Sequence, residues 1–600
     1  MRATTMKSLK AQILSAGELV SSNVISFDLI TSVNKIPYAQ VVIGEGGEGN
    51  KSVLELSNET CFQPGQEIEL RLSSPAGAAE FQGIVVKQNL QKISGQSYLT
   101  IDIKDSAFKL CLTRESAVFI NQDDVAIIGK LAEKAALTVE CGGKTLTHQQ
   151  MVQYYCTNWD FIVSRAEANG LLVCVANGVI QLKKPDLSTA TKVLTEVYEY
   201  ELEVDPSSQY QQVDGVCWDV NEVKPLKIAH TNKDVTLEGN HDFAKLGEGL
   251  SLDACVLVSG IPSNAAEMEA WANACRLKSR HALVQGRISI AGNPQLQLGD
   301  VVTIAEAGEL FSATVLISGI RHRITSNGWT TDLQCGLSSK WFYEEHALMD
   351  KAAAGLLPGV NGLQIGIVEA YPDEGDPDKV HRIKVKLPAI HEQESVIWAR
   401  LILPYAGSQR GAHWVPEAGD EVVVGFFNDD PRYPVVLGSL YNGQAEPPLA
   451  LTKENNEKGF ITRSGSKIVF TDEQDKERME ISTPAGNTVL LEDEKGITIH
   501  DSNENKIILN DQGIHLEDSS ENKITANNKG TVVEDTNKNA FILNKQGIEV
   551  KDASGNSINL SSAGIELKDM NGNKVALEAG GVTIQSGANV TVKGSMINLN

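Results

Sequence analysis

A glycine-rich stretch near the start of the chain has the spacing of a phosphate-binding loop. Residues Gly44–Ser52 match G-x-G-x-x-G, with a lysine close behind the last glycine. A phosphate loop places that lysine directly after the glycine, but Asn50 intervenes here. Glu45 and Glu48 would repel a phosphate, and Ser52–Leu56 alternates like a strand where a nucleotide site requires a helix. We therefore expect a glycine-rich hairpin tip, because glycine readily adopts the positive φ of such tips.

Two further patterns could bind a metal ion. Asp501–Asn505 begins like a calcium-binding loop, but Lys506 replaces the required glycine and Gln512 occupies the position of the bidentate glutamate. His281 and His322 have no second histidine or carboxylate at ligand spacing, which favours a structural role for both. The 77 acidic residues are too numerous for proximity in sequence to indicate an acid–base pair. We therefore predict no catalytic residue, no metal and no cofactor.

Composition restricts the partners and the compartment. The 600 residues have a formal net charge of −24, which disfavours nucleic acid and anionic membranes as partners. Nine cysteines lie between Cys61 and Cys335 without a Cys-x-x-Cys pair, which favours synthesis in a reducing cytoplasm. No stretch reads as a signal peptide or as the roughly 20 apolar residues of a membrane span. If the protein leaves the cell, we expect a dedicated machine to export it.

The C-terminal part of the chain repeats every 17 residues. A glycine starts each unit, an aspartate follows five positions later and an asparagine nine positions later. The repeated residues are Gly496, Gly513, Gly530, Gly547, Gly564 and Gly581, then Asp501, Asp518, Asp535, Asp552 and Asp569, then Asn505, Asn522, Asn539, Asn556 and Asn573. Apolar residues stand mostly one, three, eleven and thirteen positions after the glycine. This spacing predicts strand, turn, strand, turn in every unit.

Four apolar side chains per unit cannot form a core alone, so the repeats must stack into a rod, each strand layer adding about 4.8 Å. The sequence is compatible with two kinds of rod: a solenoid made by one chain, or three chains around a shared axis. The apolar face of each strand is narrow, and Phe541 is the only aromatic residue after Phe470. A thin interior of this kind favours the shared trimeric core.

Residues 1–345 are predicted to form two barrel-like β units with helical insertions. The predicted strands are Val24–Ile30, Tyr38–Ile43, Gln66–Leu72, Phe81–Val86, Tyr98–Ile103, Gly170–Val175, Val179–Leu182, Arg287–Ile290, Gln295–Ile304, Thr314–Ile320 and Trp329–Cys335. Helices are expected after the capping segments Asn121–Asp124, Thr157–Asp160 and Ser263–Asn264. Trp159, in the first turn of the second helix, is expected to be a core residue.

Residues 346–359 read as a linker, and residues 360–447 as a barrel of the oligonucleotide/oligosaccharide-binding (OB) type, because five predicted strands fall within about 80 residues. An OB barrel that binds nucleic acid needs a basic groove with aromatic platforms, and the acidic sequence shows no sign of one. The repetitive rod then occupies residues 448–600. The fold class is therefore mainly β, with a hub, a barrel and a C-terminal rod.

Several motifs resemble one protein family. The segment Tyr155–Gly170, with Trp159–Phe161, resembles the hub portion of the VgrG spike family of type VI secretion, which is similar to contractile-phage baseplate hub proteins. Gly292–Asn293, Gly299–Asp300, Gly319 and His322 agree with that hub. Pro416–Phe426 and Asp430–Gly443 resemble the OB module of VgrG and phage spikes almost residue for residue, and Gly366, Val368 and Arg382 agree with it.

The resemblance implies a homotrimeric spike that punctures target envelopes mechanically and is not an enzyme. Some VgrG proteins carry a toxin domain after the rod, but this sequence leaves no room for one. The implied partners are an Hcp-like tube at the hub end, a PAAR-like tip protein at the C-terminus, effectors or adaptors, and baseplate proteins. Open strand edges for the tip protein are expected at Ser595, Met596, Ile597, Asn598, Leu599 and Asn600. A spike of a phage-tail-like contractile particle and, less favoured, a solenoid adhesin are the alternatives.

Overall fold

A computed structural model describes residues 10–599, except for 47–50, 76, 186–191, 195, 232–248, 251, 253, 306, 392 and 393. The chain divides into two compact units, Met1–Ala354 and Gly355–Asn600. Strands dominate both units, which confirms the mainly-β prediction. The finer division at residues 345, 359 and 447 stays a prediction.

The strands of the first unit are β1 (Lys10–Ser15), β2 (Glu18–Val20), β3 (Asn23–Ser32), β4 (Tyr38–Gly44), β5 (Glu67–Ser74), β6 (Gly77–Ile93), β7 (Gln96–Lys104), β8 (Arg114–Asp123), β9 (Thr138–Cys141), β10 (Thr147–Thr157), β11 (Leu172–Ala176), β12 (Val179–Lys183), β13 (Lys192–Leu194), β14 (Val197–Val204), β15 (Gln212–Asp219), β16 (Lys224–Thr231), β17 (Ala254–Pro262), β18 (Val284–Ala291), β19 (Val301–Ile304), β20 (Thr314–Thr325) and β21 (Gly328–Cys335). Its helices are α1 (Val53–Leu56), α2 (Asp124–Glu133), α3 (Asn158–Ala168), α4 (Ala265–His281), α5 (Gly308–Phe311) and α6 (Phe342–Glu345).

One sheet of 13 strands joins the two β regions that the sequence suggested as separate barrel-like units. Its order is β14-β18-β21-β20-β3-β4-β7-β6-β5-β1-β2, with β13 and β19 attached beside β20. The join is the antiparallel pairing of β3 with β20, in which Phe27 opposes Ile324 and Ser32 opposes Gly319. Apolar cores lie on both sides of the join. Local periodicity carries no information about a pairing between segments so distant in sequence, so the sequence could not predict it.

The three predicted helices are confirmed together with their caps. Asp123 accepts the Ala126 N–H at the start of α2, and Asn264 accepts the Glu267 N–H at the start of α4. Thr157 caps α3, which packs Trp159 into a helical core at 5% exposure. These side chains satisfy backbone donors that a helix start would otherwise leave unpaired.

One predicted strand is wrong, and a second is confirmed only in its last four residues, Val301–Ile304. Ser52–Leu56 forms the one-turn helix α1, because Ser52 and Glu55 make a reciprocal capping box. The Glu45 carboxylate also accepts the Val53 N–H, so two carboxylates satisfy backbone donors at this helix start. Residues 47–50 of the predicted hairpin tip lie outside the described residues. In the predicted strand Gln295–Ile304, residues before Val301 form a turn, since Gly299 has φ +84° and Asp300 accepts the Gln297 N–H.

The first part of the second unit is a closed five-stranded barrel, as predicted. Its strands and the small hairpin between them are β22 (Gln364–Val368), β23 (Ile383–Lys386), β24 (Val396–Leu401), β25 (Ala406–Gly407), β26 (Arg410–Gly411), β27 (Glu421–Phe426) and β28 (Pro434–Leu440). The barrel closes in the order β22-β23-β24-β28-β27. Gly366 allows this closure, because a Cβ there would lie 2.5 Å from a Val385 methyl carbon.

The second part is a sheet of fifteen five-residue strands, which we call the repeat sheet. Its strands are β29 (Glu457–Ile461), β30 (Lys467–Thr471), β31 (Arg478–Ser482), β32 (Thr488–Glu492), β33 (Gly496–His500), β34 (Lys506–Asn510), β35 (Gly513–Glu517), β36 (Lys523–Asn527), β37 (Gly530–Glu534), β38 (Ala540–Asn544), β39 (Gly547–Lys551), β40 (Ser557–Ser561), β41 (Gly564–Lys568), β42 (Lys574–Glu578) and β43 (Gly581–Gln585). Each strand pairs with the next one along the chain. The chain thus forms a single-layer meander, and not the coils of a single-chain solenoid.

Candidate functional site in the repeat sheet

The repeated glycines occupy positions where two strands approach closely. All six have positive φ, between +89° and +139°. At the first five, an added Cβ would lie 1.8 to 2.2 Å from a carbonyl oxygen of the neighbouring strand, for example 2.0 Å from that of Leu543 at Gly530. Any other residue would collide with the backbone there and would also strain its own φ. The 17-residue interval of the glycines is therefore a requirement of strand spacing.

The repeated aspartates and asparagines organise the turns between strands. In the first unit the Asp501 carboxylate accepts the Asn505 backbone N–H at 2.9 Å and the Asn505 side-chain amide at 2.8 Å. The residue before each asparagine adopts positive φ, as Glu504 does at +68°. Hydrogen bonds from asparagine to the carboxylate lower the pKa of all five aspartates below its usual value. These hydrogen bonds account for the recurrence of the aspartate and the asparagine as turn-forming residues.

The same asparagines also link one repeat to the next. The Asn522 side-chain oxygen accepts the Thr536 backbone N–H of the following turn at 3.1 Å. Equivalent bonds run from Ser519 to Asn505, from Ala553 to Asn539, from Met570 to Asn556 and from Gly587 to Asn573, at 2.9 to 3.2 Å. The sequence indicated turn chemistry at these positions but not this ladder. It runs along one edge of the repeat sheet and fixes the stacking of its turns.

One face of the repeat sheet is a nearly continuous apolar surface, which we call the apolar strip. It consists of two in-register rows. The first row is apolar at all fifteen positions: Phe460, Ile468, Ile481, Val489, Ile499, Ile507, Leu516, Ile524, Val533, Phe541, Val550, Ile558, Leu567, Val575 and Ile584. The second row, from Lys458 through Phe470 to Val582, departs from this pattern at Lys458 and Thr531.

The apolar strip is not covered by the rest of its own chain. Twenty of its Phe, Ile, Leu and Val side chains expose between 36 and 67% of their surface. The opposite face carries the charged groups, where Glu517 contacts Lys506 at 2.7 Å and Lys523 at 3.2 Å. These contacts, together with one from His515, lower the pKa of Glu517 to about 2. The opposite face mixes these charged groups with apolar residues such as Ile508 and Val532, whereas the apolar strip has the size and exposure typical of an interaction surface.

The predicted tip residues follow the last strand. Ser595–Leu599 lie beyond β43 in irregular backbone, with Met596 and Leu599 among the most exposed apolar side chains, and Asn600 lies outside the described residues. Within the single chain the described residues Ser595–Leu599 thus form no strand, and the expected strand edges stay a prediction. The repeat pattern ends here because Ser586 and Val590 replace the aspartate and asparagine that form the preceding turns. Whether a partner binds these residues stays a prediction.

The barrel surface carries a feature that the acidic composition concealed. The Trp398 ring on β24 has two cations near its centre: the Lys384 ammonium of β23 at 5.3 Å and the guanidinium of Arg382, the residue before β23, at 5.7 Å. Arg382 is also paired with Asp376 at 2.7 Å. A basic–aromatic face thus exists, but its cations already contact the indole ring on which a base would stack. The presence of Lys384 and Trp398 on adjacent predicted strands of the barrel is the feature of the sequence that could have indicated this face.

The two histidines singled out in the sequence are buried, at 4% for His281 and 7% for His322. Burial lowers the pKa of His322 to about 4, and its Nδ1 lies 3.0 Å from the Thr331 hydroxyl. In the described part of the chain no group of three or more His, Cys, Asp or Glu side chains is arranged for a metal. Among the helices described, none combines the length and apolarity that a bilayer span needs.

The β-rich first unit, the closed OB-type barrel and the repeat sheet with its bare apolar strip are each similar to known families, and the barrel and the repeat sheet resemble parts of VgrG-type spike proteins. Residues 5–326 match the family described as the Alg8 N-terminal domain, which is more than half of the chain, and the chain belongs to that family. Residues 364–441 match the type VI secretion system/phage-baseplate injector OB domain. Residues 478–531 match the phage baseplate V C-terminal trimerisation domain.

Two curated relatives are named as spike proteins of type VI secretion systems. The type VI secretion system spike protein VgrG1a of Pseudomonas aeruginosa is 26% identical over 247 residues, covering 37% of this chain and 36% of that protein. The spike protein VgrG3 of Vibrio cholerae is 27% identical over 157 residues, covering 24% of this chain and 15% of that protein. The matches thus span well under two thirds of either relative. Among solved structures, a tail protein from Neisseria meningitidis aligns with a TM-score of 0.41 and 16% identity, covering 56% of this chain and 98% of that one.

Proposed function

We propose that this chain is the trimeric spike of a contractile injection machine of the type VI secretion class. The observation that carries the proposal is the apolar strip. The repeat sheet has fourteen strand-to-strand steps of about 4.8 Å and strands about 16 Å long, so its face covers on the order of 1,000 Å². The largest apolar patch on a typical soluble monomer is about 300–600 Å². Burial against further copies of the same strip would remove this face from water.

Three copies suit the strip better than two. Three narrow sheets arranged around an axis close on themselves and leave no open side to the core, whereas two facing sheets leave both long edges open to water. The match of residues 478–531 to a trimerisation domain also supports three chains. The thin strip, two side chains wide, also suits a narrow shared core. A rod of three hydrogen-bonded sheets would be stiff along its axis, as a puncturing device requires.

The remaining assignments follow from the spike role. We assign residues 1–345 to a hub that meets an Hcp-like tube, 346–359 to a linker, 360–447 to the barrel and 448–600 to the rod. A PAAR-like tip protein would bind at Ser595–Asn600, and effectors, adaptors and baseplate proteins would attach to the assembly. The role is mechanical and not enzymatic. Synthesis and assembly occur in the cytoplasm, and the machine then exports the spike towards the target cell.

The solution mass of the purified chain tests this proposal. A mass near three times 64.8 kDa is expected, and a clean mass of one chain would contradict it. Deletion of residues 590–600 tests the tip assignment separately. The truncated protein should remain trimeric and lose co-purification of a tip protein, and unchanged co-purification would contradict the assignment.

The spike of a phage-tail-like contractile particle is the second candidate. The family matched by residues 364–441 includes both type VI secretion and phage-baseplate injectors, so the barrel suits either machine. The genes beside this one would separate the two, because each machine requires its own sheath and baseplate components. The solenoid adhesin is disfavoured, since the repeat sheet is a meander whose apolar face is left bare.

A further inference from the structure

The barrel contributes one aromatic side chain to the end of the apolar strip. Trp414 lies in the loop between β26 and β27, and its ring stacks on Phe460 with centroids 5.1 Å apart and planes inclined by 15°. Phe460 begins the first row of the strip and belongs to β29, the strand at the barrel end of the repeat sheet. A second contact joins the same segments, since the Arg463 guanidinium lies 2.9 Å from the Glu417 carboxylate. The stacked pair therefore extends the apolar strip beyond β29, towards the barrel.

The stacked pair remains half exposed in the single chain. Trp414 is 51% and Phe460 54% exposed, although each already covers part of the other. Among the residues that the structure describes, Phe460 has a strand neighbour only on the side of Ile468, because β29 is an edge strand of the repeat sheet. Without a closing group, the end of a core built from three strips would be open to water at this point. Aromatic side chains of other copies of this chain, packed against the pair on the shared axis, would bury its remaining exposed surface.

We propose that three Trp414–Phe460 pairs, one from each of three copies of this chain, meet on the shared axis and close the barrel end of the trimer core. The proposal rests on the trimer proposed above and specifies which residues meet at the barrel end of its core. Trp398 cannot serve in the same way, because Lys384 and Arg382 lie against its ring and would bring like charges together on an axis. The occupant of the Trp414 surface is therefore a second and a third copy of this chain.

Cross-linking tests the position of Trp414 in the full-length protein. In Trp414→Cys, a short bismaleimide should join chains into covalent dimers and trimers, visible on a denaturing gel. Trp398→Cys is the matched control on the same barrel, and it should give no more cross-linking than the parent protein with its nine native cysteines. A trimeric Trp414→Cys protein that does not cross-link would overturn the proposal. A single-chain mass of the parent protein would instead refute the proposed function itself.

Amide hydrogen exchange tests the closing role independently. In Trp414→Ala the mass should remain that of a trimer, while the Lys458–Ile461 amides of β29 exchange at least about tenfold faster, because water reaches the core end. Amides of β36, in the middle of the repeat sheet, should exchange at the parent rate. Trp398→Ala should leave β29 unchanged. Parent-like exchange of β29 in trimeric Trp414→Ala would contradict the proposal.

Discussion

The side-chain oxygen of Asn522 accepts the backbone N–H of Thr536 at 3.1 Å, which joins one 17-residue unit to the next. The same side chain donates to the Asp518 carboxylate of its own turn at 2.7 Å. Each asparagine of the repeat therefore holds two turns at once. This double contact explains why the asparagine recurs at a fixed distance from the glycine.

Asn522→Ala should destabilise the repeat sheet by about 1–2 kcal/mol per chain, because the Asp518 carboxylate and the Thr536 N–H each lose a hydrogen-bond partner. The urea midpoint of unfolding, followed by circular dichroism, measures this loss. Ser520→Ala is the control, since Ser520 is an exposed residue of the same turn. Equal midpoints for the two variants would show that the ladder does not contribute to stability.

Gly530→Ala should be considerably more harmful than Gly581→Ala. Both glycines have positive φ, +139° and +128° respectively, so both substitutions incur backbone strain. An added Cβ lies 2.0 Å from the Leu543 oxygen at Gly530, whereas nothing lies within 4 Å at Gly581. The strain alone costs about 1–2 kcal/mol, and the collision at Gly530 adds to it. Thermal unfolding of the two variants gives the comparison, and similar melting temperatures would contradict the close-approach explanation.

A lysine placed on either face of β40 tests which face is buried between chains. Ile558 belongs to the apolar strip and Asn559 lies on the opposite face, where its neighbours in register are Glu549 and Glu566. Ile558→Lys should break the trimer, because an unpaired buried charge costs several kcal/mol. Asn559→Lys should leave the trimer intact, since two carboxylates flank the new charge. Light scattering measures the mass of both variants, and an intact trimer in Ile558→Lys would show that the strip is not the interface.

The extent to which the sequence predicted this structure depends on how local each feature is. The glycine, aspartate and asparagine shape the strands and turns of their own unit, so their spacing predicted those strands and turns, whereas the choice of a meander over a solenoid required the structure. The pairing of β3 with β20 is different, since Arg321 and Asp28, whose side chains lie 2.8 Å apart, are 293 residues apart in sequence. No periodicity encodes such a pairing.

Short-range competition explains the other differences. Alternation of apolar residues in Ser52–Leu56 predicted a strand, but the capping box between Ser52 and Glu55 favoured one helical turn. The contact of Trp414 with Phe460 depends on how the barrel loop meets the first repeat strand, which neither segment specifies alone. The candidate interface was thus predictable as a pattern of apolar positions, whereas the residues that close its end required the structure.

The ion cluster around Glu517 predicts how stability depends on acid. Contacts with Lys506, His515 and Lys523 hold the pKa of Glu517 at about 2 in the folded protein, below its value in an unfolded chain. A carboxyl whose pKa is lowered by folding stabilises the protein above its unfolded pKa, and this contribution disappears as pH falls towards the folded pKa. Between about pH 5 and pH 2 the parent should therefore lose stability that Glu517→Gln, lacking this carboxyl, does not lose. Urea midpoints at several pH values in low salt measure the difference, with the exposed Glu504→Gln as the control. Because the cluster faces solvent, added salt should reduce the difference, and parallel pH profiles for parent and Glu517→Gln in low salt would refute the assignment.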